Sequence, residues 1–176
     1  TASTGSWDSV SLNSSNKWVV RVAIYFSTLP TVNTELVKLV SGSSLAISFN
    51  SSDSKLYPAR NLTFGSQGFL VATGQWYVCE MKADSSADPY TLDLTINGTA
   101  LTQFTFSTTA ASDTELRIGV QRTGTADVYF DDILLSQTLG DYPIGDGYVN
   151  HFVPTSDISH NIAGAADFRR TLTTTD

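Results

Sequence analysis

Apolar and polar residues alternate with a period of two along most of this chain. In residues 18–26, Trp18, Val20, Val22, Ile24 and Phe26 fall on one face and Arg21 on the other, the pattern of a half-buried strand. Residues 35–40 and 44–49 predict two short strands around Ser41-Gly42, and 50–54 form a polar turn. Residues 55–63 predict a weak strand. Pro58 within it has no N–H to give to a ladder, which points to an edge or a bulge. A short strand is predicted at 68–73, before Gly74. In 76–82, Tyr77, Cys79 and Met81 share one face and Glu80 and Lys82 the other. In 90–96, Tyr90, Leu92, Leu94 and Ile96 alternate with Thr91, Asp93 and Thr95. Asn97-Gly98 then predicts a tight hairpin turn with positive φ, and the returning strand covers 101–107. Strands at 115–120 and 126–136 complete the set.

About ten short strands with turn chemistry every ~8–12 residues predict an all-β fold. The expected architecture is a two-sheet antiparallel jelly-roll sandwich over residues 17–139. Residues 1–16 are expected to form a separate N-terminal segment. Residues 140–147 hold Pro143 among Gly-Asp and Asp-Gly steps, a turn-rich connector. Beyond it, 148–153 could pair as a short strand. Residues 155–176 are polar with scattered Ile158, Ile162, Phe168 and Leu172. Residues 140–176 are therefore expected to be a connector and an extended arm. No internal repeat is evident.

Composition adds a setting. The 176 residues fit one domain with a short appendage. Charged residues make up 15%, against the usual ~25%, and Ser, Thr, Asn and Gly take their place. Such hydroxyl-rich surfaces are common in extracellular and virion proteins. Net charge is −7 and the ten basic residues are scattered, so no nucleic-acid surface is expected, since that needs clustered Lys and Arg. No apolar run approaches the ~18 residues of a spanning helix, and no membrane partner is expected. Cys79 is the only cysteine and sits in an apolar strand pattern, as a small buried hydrophobe. With one Met, Met81, and no leader-like start, the natural chain is expected to extend at both ends.

Candidate chemistry is sparse. The three glutamates, Glu35, Glu80 and Glu115, fall one per strand. None supplies the pair of carboxyls ~5–5.5 Å apart that a retaining glycosidase needs. The histidines, His151 and His160, lie far from Cys79 in sequence. No phosphate loop, zinc spacing or Ser-His-Asp set occurs. The expectation is no enzyme and no catalytic residue. Asp131 and Asp132 are adjacent in a strand and so face opposite ways. At most one of them could be a ligand of a structural Ca²⁺, with Asp141 and Asp146 as extra ligands. The plainer reading has one Asp capping N–H groups and the other solvated. Trp18 lies on a core face, and Trp76 is expected to pack under a turn. Trp7, in a polar segment, is the candidate for an exposed sugar contact. Asn13, Asn50, Asn61 and Asn97 each begin an Asn-x-Ser/Thr triplet, a frequent chance event in so Ser/Thr-rich a chain.

The runs KWVVRVAIYFSTLP, GQWYVCEMKAD, YTLDLTINGT and VYFDDILLS resemble the strand series of laminin-G-like, concanavalin A-like jelly rolls over about residues 17–136. The ending GDYPIGDGYVNHFVPTSDISHN resembles the segment after such domains in tailed-bacteriophage structural proteins. The resemblance implies a non-enzymatic virion structural protein, a surface decoration or a tail- or fibre-associated module. It would act by oligomeric contacts with other virion subunits, with adhesion to a host-surface glycan as a further role. Laminin-G-like domains often carry Ca²⁺ at the sandwich rim and bind glycans, but the resemblance transfers no ligand residue to this chain. The alternative is a carbohydrate-binding module of a secreted or cell-surface bacterial protein. The expected location is the virion in the first case and extracellular in the second.

Overall fold

The computed structural model of the chain describes residues 6–40, 42–122 and 124–145. The chain divides into two units, Thr1–Gly145 and Asp146–Asp176. The expected strand at 148–153, most of the expected arm, Asp146 and both histidines lie outside the described residues.

Thirteen strands follow one another in the described chain. They are β1 (Ser6–Ser15), β2 (Lys17–Thr28), β3 (Thr34–Val40), β4 (Leu45–Asn50), β5 (Lys55–Arg60), β6 (Thr63–Phe64) and β7 (Phe69–Leu70). Then come β8 (Trp76–Asp84), β9 (Tyr90–Ile96), β10 (Thr99–Ala100), β11 (Phe104–Phe106), β12 (Asp113–Val120) and β13 (Asp127–Ser136). A 3₁₀ turn at Leu139–Asp141 is the one helical element among the described residues. A seven-stranded sheet runs β1-β12-β3-β4-β5-β6, with β7 also on β5. A six-stranded sheet runs β10-β9-β8-β2-β13, with β11 also on β9. Every pairing is antiparallel. The all-β sandwich read from the alternation is the fold.

The core lies between the sheets, where the apolar face of each strand meets its counterpart. From the six-stranded sheet come Val22, Ile24, Phe26 and Met81; from the other, Leu39 and Phe49, all almost wholly buried. The predicted core residues Trp18 and Cys79 are among the buried set, and burial pushes the Cys79 thiol up. Asn97 (φ 48) and Gly98 (φ 76) take left-handed conformations at the turn joining β9 to β10, as their sequence predicts.

Four local expectations change. Residues 6–15 are strand β1, paired to β12 from Ser6↔Val120 to Ser15↔Asp113. The sandwich therefore begins at Ser6 rather than residue 17. The strand expected at 101–107 shrinks to β11, with β10 before it and Leu101 buried between them. The strand expected at 68–73 shrinks to Phe69–Leu70. Pro58 lies inside β5, but the outer neighbours β6 and β7 pair only with Ala59–Arg60 and Lys55–Leu56. The missing N–H thus falls in the gap between two short strands.

Two contacts tie β12 into the seven-stranded sheet. Gly119 (φ 142) lies opposite Trp7, and a β-carbon there would come 2.4 Å from the Ser6 carbonyl oxygen and 2.5 Å from Trp7 Cα. Asp113, fully buried, accepts the Ser43 N–H at 2.8 Å and the Ser43 hydroxyl at 2.7 Å. This fixes the start of β12 to the turn between β3 and β4. Burial pushes the Asp113 carboxyl up more than the Ser43 donors hold it down.

Two stability outcomes are expected. Gly119→Ala should cost about 1–3 kcal/mol, lowering Tm by roughly 3–10 °C. Gly140→Ala, with nothing nearer than 4.0 Å to its β-carbon, should leave Tm unchanged in the same scan. For Asp113 the folded state holds the proton more tightly than the unfolded chain. Its contribution is therefore fullest below the unfolded pKa of ~3.9 and declines as pH rises through the folded value. Denaturant titrations from pH 4 to pH 7 should show Asp113→Asn gaining on the parent as pH rises. A gain in the opposite direction would contradict the burial account.

Candidate functional site

The outer face of the six-stranded sheet is set by the same alternation that builds the core. With Ile24 and Phe26 inside, Arg21, Ala23 and Tyr25 of β2 point out. On β8, Tyr77, Cys79 and Met81 are buried, so Trp76, Val78 and Glu80 point out. On β13, Tyr129 and Asp131 point out between the partly buried Val128 and Phe130. The antiparallel registers then pair Tyr129 with Tyr25 and Tyr25 with Trp76. Three aromatic rings stand side by side across three neighbouring strands.

Tyr25 is 5.3 Å from Trp76 and 6.0 Å from Tyr129 between ring centroids. The planes are inclined by 46° and 63°, so the row is corrugated rather than flat. Trp76 is 48% and Tyr129 52% exposed, with Tyr25 half-buried between them. Asp127 carries its carboxylate 3.5 Å from the Tyr129 hydroxyl, which donates to it. The next row inward is Asp131, Ala23 and Val78. Ala23 leaves a low floor beside the rings, with the exposed Asp131 at its edge.

Farther along the same face the chain covers itself. Past β13, the Tyr142 hydroxyl and Thr95 Oγ1 form a hydrogen bond. The Lys82 ammonium lies 5.2 Å from the Tyr142 ring centre, and Lys82 also pairs with Asp93 at 2.7 Å. The Gly145 N–H donates to Glu80 Oε1 at 2.7 Å. Arg21 and Glu80, opposite each other on β2 and β8, are both buried on this face. Residues 140–145, expected to be part of a turn-rich connector, lie back on their own sheet through Tyr142 and Gly145. Among the described residues, one half of the outer face is therefore covered and polar, and the other carries the half-exposed aromatic row.

The residues singled out from sequence are dispersed. Trp7 is 41% exposed, as expected, but it sits on β1 in the other sheet with the Arg117 guanidinium 5.4 Å from its ring centre. It does not join Trp76. Trp76 was expected to pack under a turn; it stands half exposed because its strand begins on an outward position. Asp131 faces out as strand geometry requires. Asp132 sits in a bulge of β13 with φ 50 and donates its N–H to Asp131 Oδ1 at 2.8 Å. Ca²⁺ takes roughly six to eight oxygens. Among the described residues no three His, Cys, Asp or Glu side chains gather around these two or anywhere else. Asp141 is engaged with the Ser136 hydroxyl.

Several acids on or beside the seven-stranded sheet are tied up. Glu35 pairs with Lys38 and Glu115 with Arg117, each at 2.8 Å. Tyr57 donates to Asp53 at 2.5 Å, and that bond, more than burial, pushes the phenol up to about 12.

No protein-family profile and no curated protein matches the chain. Solved structures do. An alginate lyase, Aly36B, superposes with a TM-score of 0.57 at 12% identity, covering 73% of this chain and 72% of the lyase. A sialidase superposes at 0.57 and 11% identity, over 78% of this chain and 15% of its own. Trypanosoma rangeli sialidase superposes at 0.52 and 12% identity, over 69% of this chain and 20% of the sialidase. The chain thus spans about a fifth or less of the sialidases it resembles. At these identities the likeness establishes the fold alone. It nonetheless corrects one expectation. Chains named as a lyase and as sialidases contain this sandwich, so the lack of a close carboxyl pair is no ground for excluding an enzyme. The chain shares the β-sandwich architecture found in these carbohydrate-active proteins.

Proposed function

We propose that this chain is a glycan-binding β-sandwich module that holds saccharide against the Tyr25–Trp76–Tyr129 row. The observation that carries this reading is the alignment of three aromatic side chains at directly opposed positions on a sheet face, two of them about half exposed. Large exposed rings in a contiguous patch mark binding surfaces. The C–H-bearing face of a pyranose is apolar and weakly positive, which suits the negative face of an aromatic ring. Neighbouring strands lie ~4.8 Å apart, close to the length of one pyranose unit along an extended chain. A saccharide running across β13, β2 and β8 could therefore meet one ring per unit. The carboxylates of Asp127 and Asp131 stand ready to accept sugar hydroxyls at the side of the row. The fold likeness to chains named for glycan chemistry supports the reading.

The biological setting remains that implied by the sequence resemblance. A virion surface or tail-associated module would use such a row for adhesion to its host while contacting neighbouring subunits. A secreted or cell-surface bacterial protein would use it as a carbohydrate-binding domain.

Affinity electrophoresis in gels cast with soluble polysaccharides tests the reading. Retardation by at least one polysaccharide is expected. Trp76→Ala and Tyr129→Ala should each weaken it about tenfold, or ~1.4 kcal/mol. Because both residues are half exposed, Tm should stay within roughly 2 °C of the parent. Trp7→Ala, on the other sheet, should bind as the parent does. Full retardation in both row variants would rule out the row as the binding surface.

A further inference from the structure

We propose that the saccharide held on the aromatic row is neutral, a hydroxyl-rich oligosaccharide without carboxylates or sulfates. This rests on the glycan-binding reading above and names its ligand class. The charge around the row carries it. Tyr129 has an acid two positions away on either side, Asp127 and Asp131, and both are exposed. Asp127 stands within 3.5 Å of the Tyr129 hydroxyl, and Asp131 edges the low floor made by Ala23.

Among the described residues, no lysine or arginine forms an ion pair with either of them. The outward neighbours of the rings on β2 and β8 are Ala23 and Val78, both apolar. Among the described residues, two cations farther along this face are drawn in from solvent or paired. Arg21 is buried opposite Glu80, and Lys82 is paired with Asp93 and lies over Tyr142. The molecule as a whole carries −7. An anionic sugar laid on the row would bring its charge against two carboxylates that no ion pair among the described residues neutralises. A neutral sugar would instead offer hydroxyl donors to those carboxylates, and hydrogen bonds to an ionised acceptor are the stronger kind. The structure therefore separates this chain from proteins of the same fold whose names point to carboxylated sugars, alginate and sialic acid.

Isothermal titration with hexasaccharides tests it: cello-, manno- and xylo-oligomers as neutral probes, and guluronate and galacturonate oligomers as acidic ones. At least one neutral series should bind about tenfold or more tightly than either acidic series, the size of repulsion that two nearby like charges give in water. Neutral binding should hardly change between low and high salt. The double variant Asp127→Asn/Asp131→Asn should narrow the gap between neutral and acidic probes. An acidic oligomer that binds more tightly than every neutral one, in a manner lost with Trp76→Ala, would overturn the neutral assignment and leave the aromatic platform standing. A gap unaltered in the double variant would overturn the role given to the two acids. Failure of every probe to bind would overturn the platform itself.

Discussion

Burial of Val20, Val22, Ile24 and Phe26 on one side of β2 is the constraint on which the rest of the molecule depends. That strand lies between β8 and β13 and is bonded to both along most of its length. A slip of one residue would turn all four side chains out of the core, at ~1.5–3 kcal/mol for each large one exposed. The register is thus held by several side chains at once. Holding it also dictates the outer face. Tyr25 must point outward because its neighbours Ile24 and Phe26 point inward. The ladders to β8 and β13 then bring Trp76 and Tyr129 beside it.

The two halves of that outer face show what the same sheet does with and without cover. Where Tyr142 and Gly145 lie across it, the outward residues Glu80 and Thr95 are buried and hydrogen-bonded, and Arg21 is buried beside them. On the other half the outward residues include the aromatic row, of which Trp76 and Tyr129 stay about half exposed. The rings gain some stability by packing on Tyr25, but their exposed halves add none. The exposure of Trp76 and Tyr129 on one continuous row is the physical reason for reading this half as a contact surface.

Much of the fold was legible in the sequence, since a period-two pattern with turn residues between its runs defines strands directly. Residues 18–26 and 90–96 and the Asn97-Gly98 turn fall where expected. The pattern failed where burial does not shape it. Strand β1 is a Ser-rich edge with almost every residue exposed, so it carries no apolar alternation and read as a loose segment. The aromatic row was invisible for another reason. Tyr25, Trp76 and Tyr129 belong to three separate runs, and only the pairing of strands, which no single run records, brings them together. Trp7 drew notice because its surroundings are polar, whereas Trp76 begins a strand, and its exposure depends on whether that first position faces out. The carboxylates were judged by their spacing alone. That judgement separated Asp131 from Asp132 correctly but could not show that Asp131 borders the ring face.

The most direct test of the account is a crystal structure of the chain with a neutral oligosaccharide bound. The account predicts sugar rings seated over Trp76 and running toward Tyr129, with hydroxyls directed at Asp131 or Asp127. Sugar bound on the seven-stranded sheet, beside Trp7 and Arg117, with the Tyr25–Trp76–Tyr129 row left bare, would contradict it.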